Sequence, residues 1–373
     1  MQVQKNSDSV LDDNKIRIGN MRIGMFTGSF VLEDCERDRV IKTCKKIWRH
    51  LRRERRYGVD PMGLHRFDLV PAFARSDDLV AENLGGLYIK GIYEVNGHSP
   101  ECLAAASMIR HHYPHIPCVN AAEIVAERIL DVYGDVPIAF VVGQGSALKA
   151  SWYQYLVNDL VAAGLNITIM TPKEVMKKKM KHMWRWGDAR INGENDYVFS
   201  RGFVEWLHTQ NEHIIFNRVL RTEDDVTNKS LLLSSSDPDV AILLGENRPL
   251  DNNSIWWSVD QHDHQRLMAK PDGGSSGKGL IFGEQHPTTA WIDELQKVLK
   301  GGKQKYSLWE TQWLPSVTID GEDFAIDFNP AFWIDGDDIE YLYTIIRVDF
   351  YERYRQERKI NVSQGAGIAG LIY

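Results

Sequence analysis

Apolar and polar positions change period repeatedly along this chain, and each change marks an element. Residues 1–15 (MQVQKNSDSVLDDNK) are polar and read as a disordered tail. Residues 16–30 alternate with glycine punctuation, which predicts strand and turn. Residues 32–57 place Val40, Ile41, Cys44, Ile47, Trp48 and Leu51 at three-and-four spacing, a helix with one core face. Residues 65–71 (HRFDLVP) and 88–95 (YIKGIYEV) read as two strands, separated by a polar connection over 75–86. Helices follow over 100–113 and 121–133. Residues 138–143 form an apolar strand, 150–163 an amphipathic helix closed by Gly164, and 166–170 a further strand. Strand, helix, strand over that length is a βαβ unit with parallel strands.

Residues 184–196 (WRWGDARINGEND) read as a loop, and 197–206 and 213–219 resume strand and helix character. A short apolar run lies at 240–244, and 289–299 is a helix ended by Gly301 and Gly302. The remainder is strand-rich at 307–315, 317–319, 323–333 and 340–350, with turns at Asp320–Gly321 and Asp335–Gly336. The C-terminus is glycine-rich, and no internal repeat is found. The fold class is therefore α/β with antiparallel sections (α+β). The expected units are 1–15 as tail, 16–135, a βαβ unit over 136–225, 226–300 and 301–373.

One stretch stands out: residues 270–280, KPDGGSSGKGL, with apolar residues leading in and out. It reads as strand, glycine loop, strand. Glycine allows positive φ and close backbone approach, and consecutive N–H groups in such a turn form an anion-binding concavity. Two readings stand on composition alone, a loop that covers nucleotide phosphates and a flexible surface hairpin.

Composition and charge remove several function classes. The chain has 373 residues, 43% apolar and 25% charged, with a net charge of −7, which argues against a general nucleic-acid binder. The basic runs RHLRRERR (49–56) and KEVMKKKMK (173–181) read as solvated helix faces. The four cysteines, Cys35, Cys44, Cys102 and Cys118, contain no CxxC pair, so neither a zinc knuckle nor a redox pair is indicated. With no secretory signal and no apolar run long enough for a membrane span, a reduced, cytoplasmic, soluble protein is expected.

The chemistry-bearing candidates lie on the paired strands. Residues two apart on a strand share a face, so Arg66 and Asp68 point together, as do Glu94 and Asn96. If the strands pair, a guanidinium, two carboxylates and an amide converge, a hard-oxygen set suited to Mg²⁺; polar outer faces of half-exposed strands are the alternative. Asp327-x-Asn329 has the same acid-x-Asn spacing, but inside a run that reads as one hairpin it is the weaker metal candidate. His262–Asp263–His264 and His111–His112 lack a third ligand at convincing spacing, and no nucleophile triad is visible around Ser146.

Taken in order, RFD, YEVNGHSPE, TNKSLLL, KPDGGSSGKGL and TQWLP resemble the synthetase domain of glutathionylspermidine synthetase, a circularly permuted ATP-grasp ligase. The resemblance spans roughly residues 60–370 and includes Ser99–Pro100, Asn228–Lys229 and Ile346–Arg347. It implies an ATP-grasp-like fold with a Rossmann-like pre-ATP-grasp layer and an antiparallel lid over the nucleotide. It further implies that Asp68, Glu94 and Asn96 hold Mg²⁺, that Arg66 and Arg347 act on the transferring phosphoryl group, and that Lys229 and Lys270 contact ATP. The loop Gly273, Gly274, Ser275, Ser276, Gly277 and Lys278 would close over the phosphates, and Glu310, Gln312 and Leu314 would line the adenine. Departures are visible: a long gap between Asp68 and Glu94, Thr-Gln in place of Gln-Glu, and GGSSGKG in place of a Gly-Arg-Glu-Gly loop. Residues 1–60 are too few for the amidase domain, so glutathione and spermidine are not carried over as substrates.

The resulting expectation is an ATP-dependent carboxylate–amine ligase working through an acyl phosphate, with ATP and Mg²⁺ as cofactors. Its partners would be a small carboxylate and an amine (amino acid, peptide or polyamine), with no nucleic acid and no membrane; a homodimer is a possible assembly. The alternatives are a catalytically silent nucleotide- or ligand-binding protein and a small-molecule kinase using the same ATP site.

Overall fold

A computed structural model describes residues 2–4, 11–18, 21–53, 62–73, 86–96, 101–114, 119–142, 150–186, 201–209, 214–216, 235, 237–272, 279–302, 305–319, 321–358, 360 and 364–372. In chain order the elements are β1 (Gln2–Gln4), β2 (Leu11–Ile18), β3 (Met21–Val31), α1 (Asp34–Arg53), β4 (Met62–Phe73), β5 (Leu87–Asn96), α2 (Glu101–His112), α3 (Ala121–Tyr133), β6 (Ile138–Val142), α4 (Ala150–Ala162), β7 (Ile167–Met170), α5 (Pro172–Lys178), β8 (His182–Trp186), α6 (Arg201–Thr209) and β9 (Ile214–Phe216). They continue with α7 (Pro238–Leu244), β10 (Asn247–Pro249), α8 (Asn252–Asp260), β11 (Leu267–Pro271), β12 (Ile281–Phe282), α9 (Thr288–Gly301), β13 (Tyr306–Glu310), β14 (Ser316–Ile319), β15 (Glu322–Asp335), β16 (Asp338–Phe350), α10 (Tyr351–Glu357) and β17 (Gln364–Ile372).

The strands form three sheets. A nine-stranded sheet runs β1-β3-β17-β16-β15-β4-β5, with β14 pairing β15 and β2 pairing β3. A four-stranded antiparallel sheet runs β10-β13-β11-β12. A four-stranded parallel sheet runs β7-β6-β8-β9, and the βαβ unit expected over 138–170 is its β6-α4-β7 portion. The chain is thus mixed α/β: the large sheet is antiparallel except where β17 runs parallel to β3, and the all-parallel sheet around β6 is separate from it. Among the described residues no helix is long and apolar enough to cross a membrane.

Alternation along the central strands decides what each face of the large sheet carries. Phe67 and Leu69 of β4, Ile326 and Phe328 of β15, and Ile346 and Val348 of β16 share one core cluster with the α1 stripe Val40, Cys44, Ile47, Trp48 and Leu51. The intervening residues therefore lie on the opposite face. There Leu64, Ala331, Trp333, Tyr343 and Ile345 join α2, α3 and α4 in a second cluster. Val70 and Ala325 join Leu314, Tyr354 and Ala366 in another. Between these two apolar clusters, the same face presents Arg66, Asp68, Asp327 and Arg347.

Two sequence expectations differ from the structure, and the apolar run at 240–244 gains an element. Within the stretch expected as a tail, residues 2–4 and 11–15 lie in strands: β1 and β2 both pair antiparallel with β3. Trp184, Arg185 and Trp186 are strand rather than loop, because Trp184 is wholly buried in β8 against Phe140 of β6; residues 187–196 lie outside the described residues. The apolar run 240–244 is helix α7, begun by the Asp237 cap and Pro238 at its first position.

Candidate functional site

The pairing that the sequence argument required is present. β4 and β5 run antiparallel with Arg66 opposite Asn96, Phe67 opposite Val95 and Asp68 opposite Glu94. Arg66 donates from Nε to Asp68 Oδ1 at 2.6 Å and from Nη2 to Oδ2 at 2.9 Å, a bidentate fork in a buried setting. Asn96 Nδ2 bridges Asp68 Oδ1 and Glu94 Oε1, each at 3.2 Å. Glu94 and Asn96 are half-buried, whereas Asp68 is 3% exposed.

β15 lies on the other side of β4 and brings Asp327 and Asn329 into the same cluster. Arg347 of β16 stands opposite Asp327, donates from Nε to Asp327 Oδ1 at 3.0 Å and pairs through Nη2 with Oδ2. The same Nη2 reaches Asp68 Oδ2 at 3.1 Å. Asn329 Nδ2 donates to Asp327 Oδ1 at 2.6 Å. Burial pushes the Asp327 carboxyl above its usual range, against the pull of Arg347. Burial also works to lower Arg347, but Asp327 and Asp68 more than offset it and hold the guanidinium firmly charged.

Asp327 and Asn329, the weaker metal candidate by spacing, thus lie in one cluster with Asp68 and Arg347. A signal existed in the acid-x-Asn spacing and in the turn that folds β15 onto β16. The missing information is a bulge. Asp335 pairs with Asp338, and an unbroken hairpin from that turn would set Asp327 opposite Ile346. The register shifts by one between Ala331 and Phe332, with Leu342 unpaired, so Arg347 takes that place instead.

Lys270 comes to the site from the smaller antiparallel sheet. It is buried on β11, donates from Nζ to the Tyr93 carbonyl at 2.7 Å, and lies 4.9 Å from the centre of the Trp309 ring. Tyr93 precedes Glu94 on β5, so this contact sets the lysine beside the carboxylate strand. The base of the expected glycine hairpin is also present, with β11 and β12 antiparallel. Gly273, Gly274, Ser275, Ser276, Gly277 and Lys278 lie outside the described residues, as do Lys229, Ser99 and Pro100.

The remaining expected residues lie at the end of β13 and in the connection from it to β14. Glu310 ends β13, pairs with Arg266 and accepts from the Glu246 N–H at 3.4 Å. Gln312 donates from Nε2 to the Leu243 carbonyl at 2.8 Å, and its backbone carbonyl accepts from the Tyr93 hydroxyl. Its Oε1 is buried without a hydrogen-bond partner among the described residues, packed where a Cβ on Gly91 would come to 1.6 Å. Leu314 is buried, and its N–H donates to the Tyr354 hydroxyl at 3.0 Å. Burial, with Tyr354 beside it, pushes Tyr93 well above the usual phenol range.

The donor chemistry of this cluster suits a small hard cation. Glu94 and Asn96 supply oxygens from a half-buried strand edge, and turning the Asn96 carboxamide would present its oxygen in place of Nδ2. Asp68 differs, because both its oxygens already accept from arginines. Among the described residues no three His, Cys, Asp or Glu side chains are arranged to hold a metal ion. The histidine pairs have other partners: His111 Nε2 lies 2.9 Å from Asp159 Oδ1, and His262 Nε2 lies 3.2 Å from Glu246.

No family model and no curated protein matches the chain. Among solved structures, a glutathione synthetase-like effector from Globodera pallida in its apo form is similar over 92% of this chain and 88% of its own, at 10% identity and a TM-score of 0.44. A Methylobacillus flagellatus protein described as a gamma-glutamylcysteine synthetase is similar over 83% of this chain and 80% of its own, at 9% identity and a TM-score of 0.37. Likeness at this level assigns the chain to no family.

Proposed function

We propose that the chain is an ATP-dependent carboxylate–amine ligase. The observation that carries this reading is the meeting, on one sheet face, of two guanidiniums, a carboxylate–carboxamide strand and a buried lysine from a second sheet. Such a set matches what phosphoryl transfer to a carboxylate requires: fixed positive charge for the phosphates, oxygen ligands for a cation, and little covalent chemistry from the protein. Glu94 and Asn96 would hold Mg²⁺ together with ATP phosphate oxygens, and Asp68 would serve mainly to orient Arg66 and Arg347. The ion would supply charge neutralisation on the phosphates.

In the proposed reaction a substrate carboxylate oxygen attacks the γ-phosphorus of ATP. The bond to the β–γ bridging oxygen breaks, and ADP leaves with that electron pair. Arg66 and Arg347 hold the charge that develops on the transferred group. The amine nitrogen then attacks the acyl carbon, inorganic phosphate leaves, and the nitrogen proton passes to solvent. Lys270 would bind ATP, and residues 273–278 would cover its phosphates.

The full occupation of Asp68 by arginines favours a second reading, a nucleotide- or anion-binding protein without turnover. A screen of amino acids, small peptides and polyamines for Mg·ATP-dependent ADP release, with mass spectrometry of the products, separates the readings. Release that requires both an acid and an amine supports the ligase. Release with a hydroxyl acceptor alone points to a kinase, and ATP binding without ADP release to the silent binder.

A further inference from the structure

We infer that Asp327 and Asn329 are positioning residues: they fix the Arg347 guanidinium so that its free end meets the anion bound at the site. The identity of that anion as ATP phosphate rests on the ligase reading; the anchoring of Arg347 does not.

The register makes the anchor. The bulge at Ala331/Phe332 sets Asp327 opposite Arg347, and the two side chains engage as a fork through Nε and Nη2. Arg347 Nη2 also meets Asp68, so the guanidinium is held from two strands. Among the described residues, Nη1 takes no hydrogen-bond partner. A guanidinium carries its donors in a rigid plane, so fixing one edge aims the other. Without the carboxylate, a long side chain would have to surrender its rotamer freedom when the anion binds.

Asn329 completes the anchor. It is wholly buried, donates from Nδ2 to Asp327 Oδ1, and its Oδ1 has no hydrogen-bond partner among the described residues. Its one polar contact there is with Asp327. It thus fixes the carboxylate that Arg347 leans on. The arrangement parallels that on β5, where Asn96 contacts Glu94 and Asp68. The difference lies in exposure: Glu94 and Asn96 are half-buried, while Asp327 and Asn329 are at most 2% exposed and do not face an incoming ligand.

Two measurements test the inference. In the first, the Arg347 Nε–H of nitrogen-15-labelled protein is followed by NMR. It should be resolved and slow to exchange in the unaltered protein, and exchange at least about tenfold faster in Asp327→Asn, with a smaller acceleration in Asn329→Ser. Unchanged exchange in both variants would overturn the anchor. In the second, Mg·ATP affinity is measured by calorimetry in the unaltered protein, Asp327→Asn, Arg347→Ala and the double variant. Asp327→Asn should weaken binding about tenfold in the first background and not at all in Arg347→Ala, as expected for residues in one hydrogen-bond network. Equal losses in both backgrounds would show that Asp327 does not act through Arg347. If the unaltered protein fails to bind Mg·ATP, the ligase reading falls, and the exchange measurement still decides the anchor. Should Asp327→Asn not fold, Asn329→Ser is read in the same two assays.

Discussion

Asp68 accepts hydrogen bonds from two arginines and a carboxamide, and this sets it apart from its strand neighbour Glu94. Sequence spacing gives the two carboxylates equal standing as metal ligands. Their surroundings do not. Removing the Asp68 charge leaves two guanidiniums in a buried setting with one anion fewer, so Asp68→Asn should lower stability by ~3–5 kcal/mol, the usual cost of breaking a buried pair. Glu94 is half-buried, so Glu94→Gln should leave the urea midpoint nearly unchanged and reduce ADP release at least about a hundredfold. Urea unfolding of both variants alongside the ADP assay checks this. A destabilised Glu94→Gln, or a fully active one, would refute the assignment of Glu94 to the cation.

At the scale of single elements, two local devices make separate predictions. Thr171 and Glu174 form a capping box at the start of α5, with Thr171 Oγ1 accepting from the Glu174 N–H at 3.3 Å and Glu174 Oε2 accepting from the Thr171 N–H at 2.8 Å. Thr171→Ala should cost about 1 kcal/mol. The backbone and hydroxyl of Thr171 hold the Glu174 carboxyl below its usual range. The folded state therefore binds that proton less tightly than the unfolded chain. Its contribution is fully present above the ordinary glutamate value and is lost as pH falls through the lowered one. Comparing urea midpoints between about pH 3 and pH 7 should show that Glu174→Gln removes this acid-dependent part. The second device is Gly283, at the base of the β11–β12 hairpin, where an added Cβ would come to 1.8 Å of the His264 carbonyl. Because the obstacle is backbone, Gly283→Ala must displace the hairpin base. Hydrogen exchange over residues 264–285 should accelerate in this variant, while exchange in β4 and β15 should not.

Local pattern explains why these elements were legible and their assembly was not. The α1 stripe, the β4 and β5 alternation and the β6-α4-β7 unit are each written in adjacent residues, and each is found where expected. Trp184 reads as loop in the sequence because its burial in a parallel strand depends on β6, more than forty residues away. The site was half legible for the same reason. Arg66, Asp68, Glu94 and Asn96 lie on strands that pair with each other. Asp327 joins them through a pairing of β15 with β4 across more than 250 residues, and faces Arg347 only because of a bulge.

For the whole molecule, the decisive feature is that the site draws on two sheets, whose strands also share one core cluster through Met268, Phe282 and Trp309. Lys270 and Trp309 belong to the smaller antiparallel sheet, and Arg66, Asp68, Glu94 and Arg347 to the larger one. The Lys270 bond to the Tyr93 carbonyl, the Tyr93 hydroxyl on the Gln312 carbonyl, and the Gln312 bond to the Leu243 carbonyl link them. A ligand that spans both sheets adds to these links and must stabilise the folded state by mass action. At a hundredfold excess over its dissociation constant, Mg·ATP should add about 2.7 kcal/mol, which for a chain of this size raises the melting temperature by roughly 3 °C. Gln312→Ala, which removes one link without touching the arginines, should melt lower than the unaltered protein and show a smaller rise at the same Mg·ATP concentration, because part of the binding energy must then hold the two sheets together. Thermal unfolding of both proteins with and without Mg·ATP measures this. A rise in neither would exclude nucleotide binding across the two sheets, and an equal rise in both would show that Gln312 does not couple them.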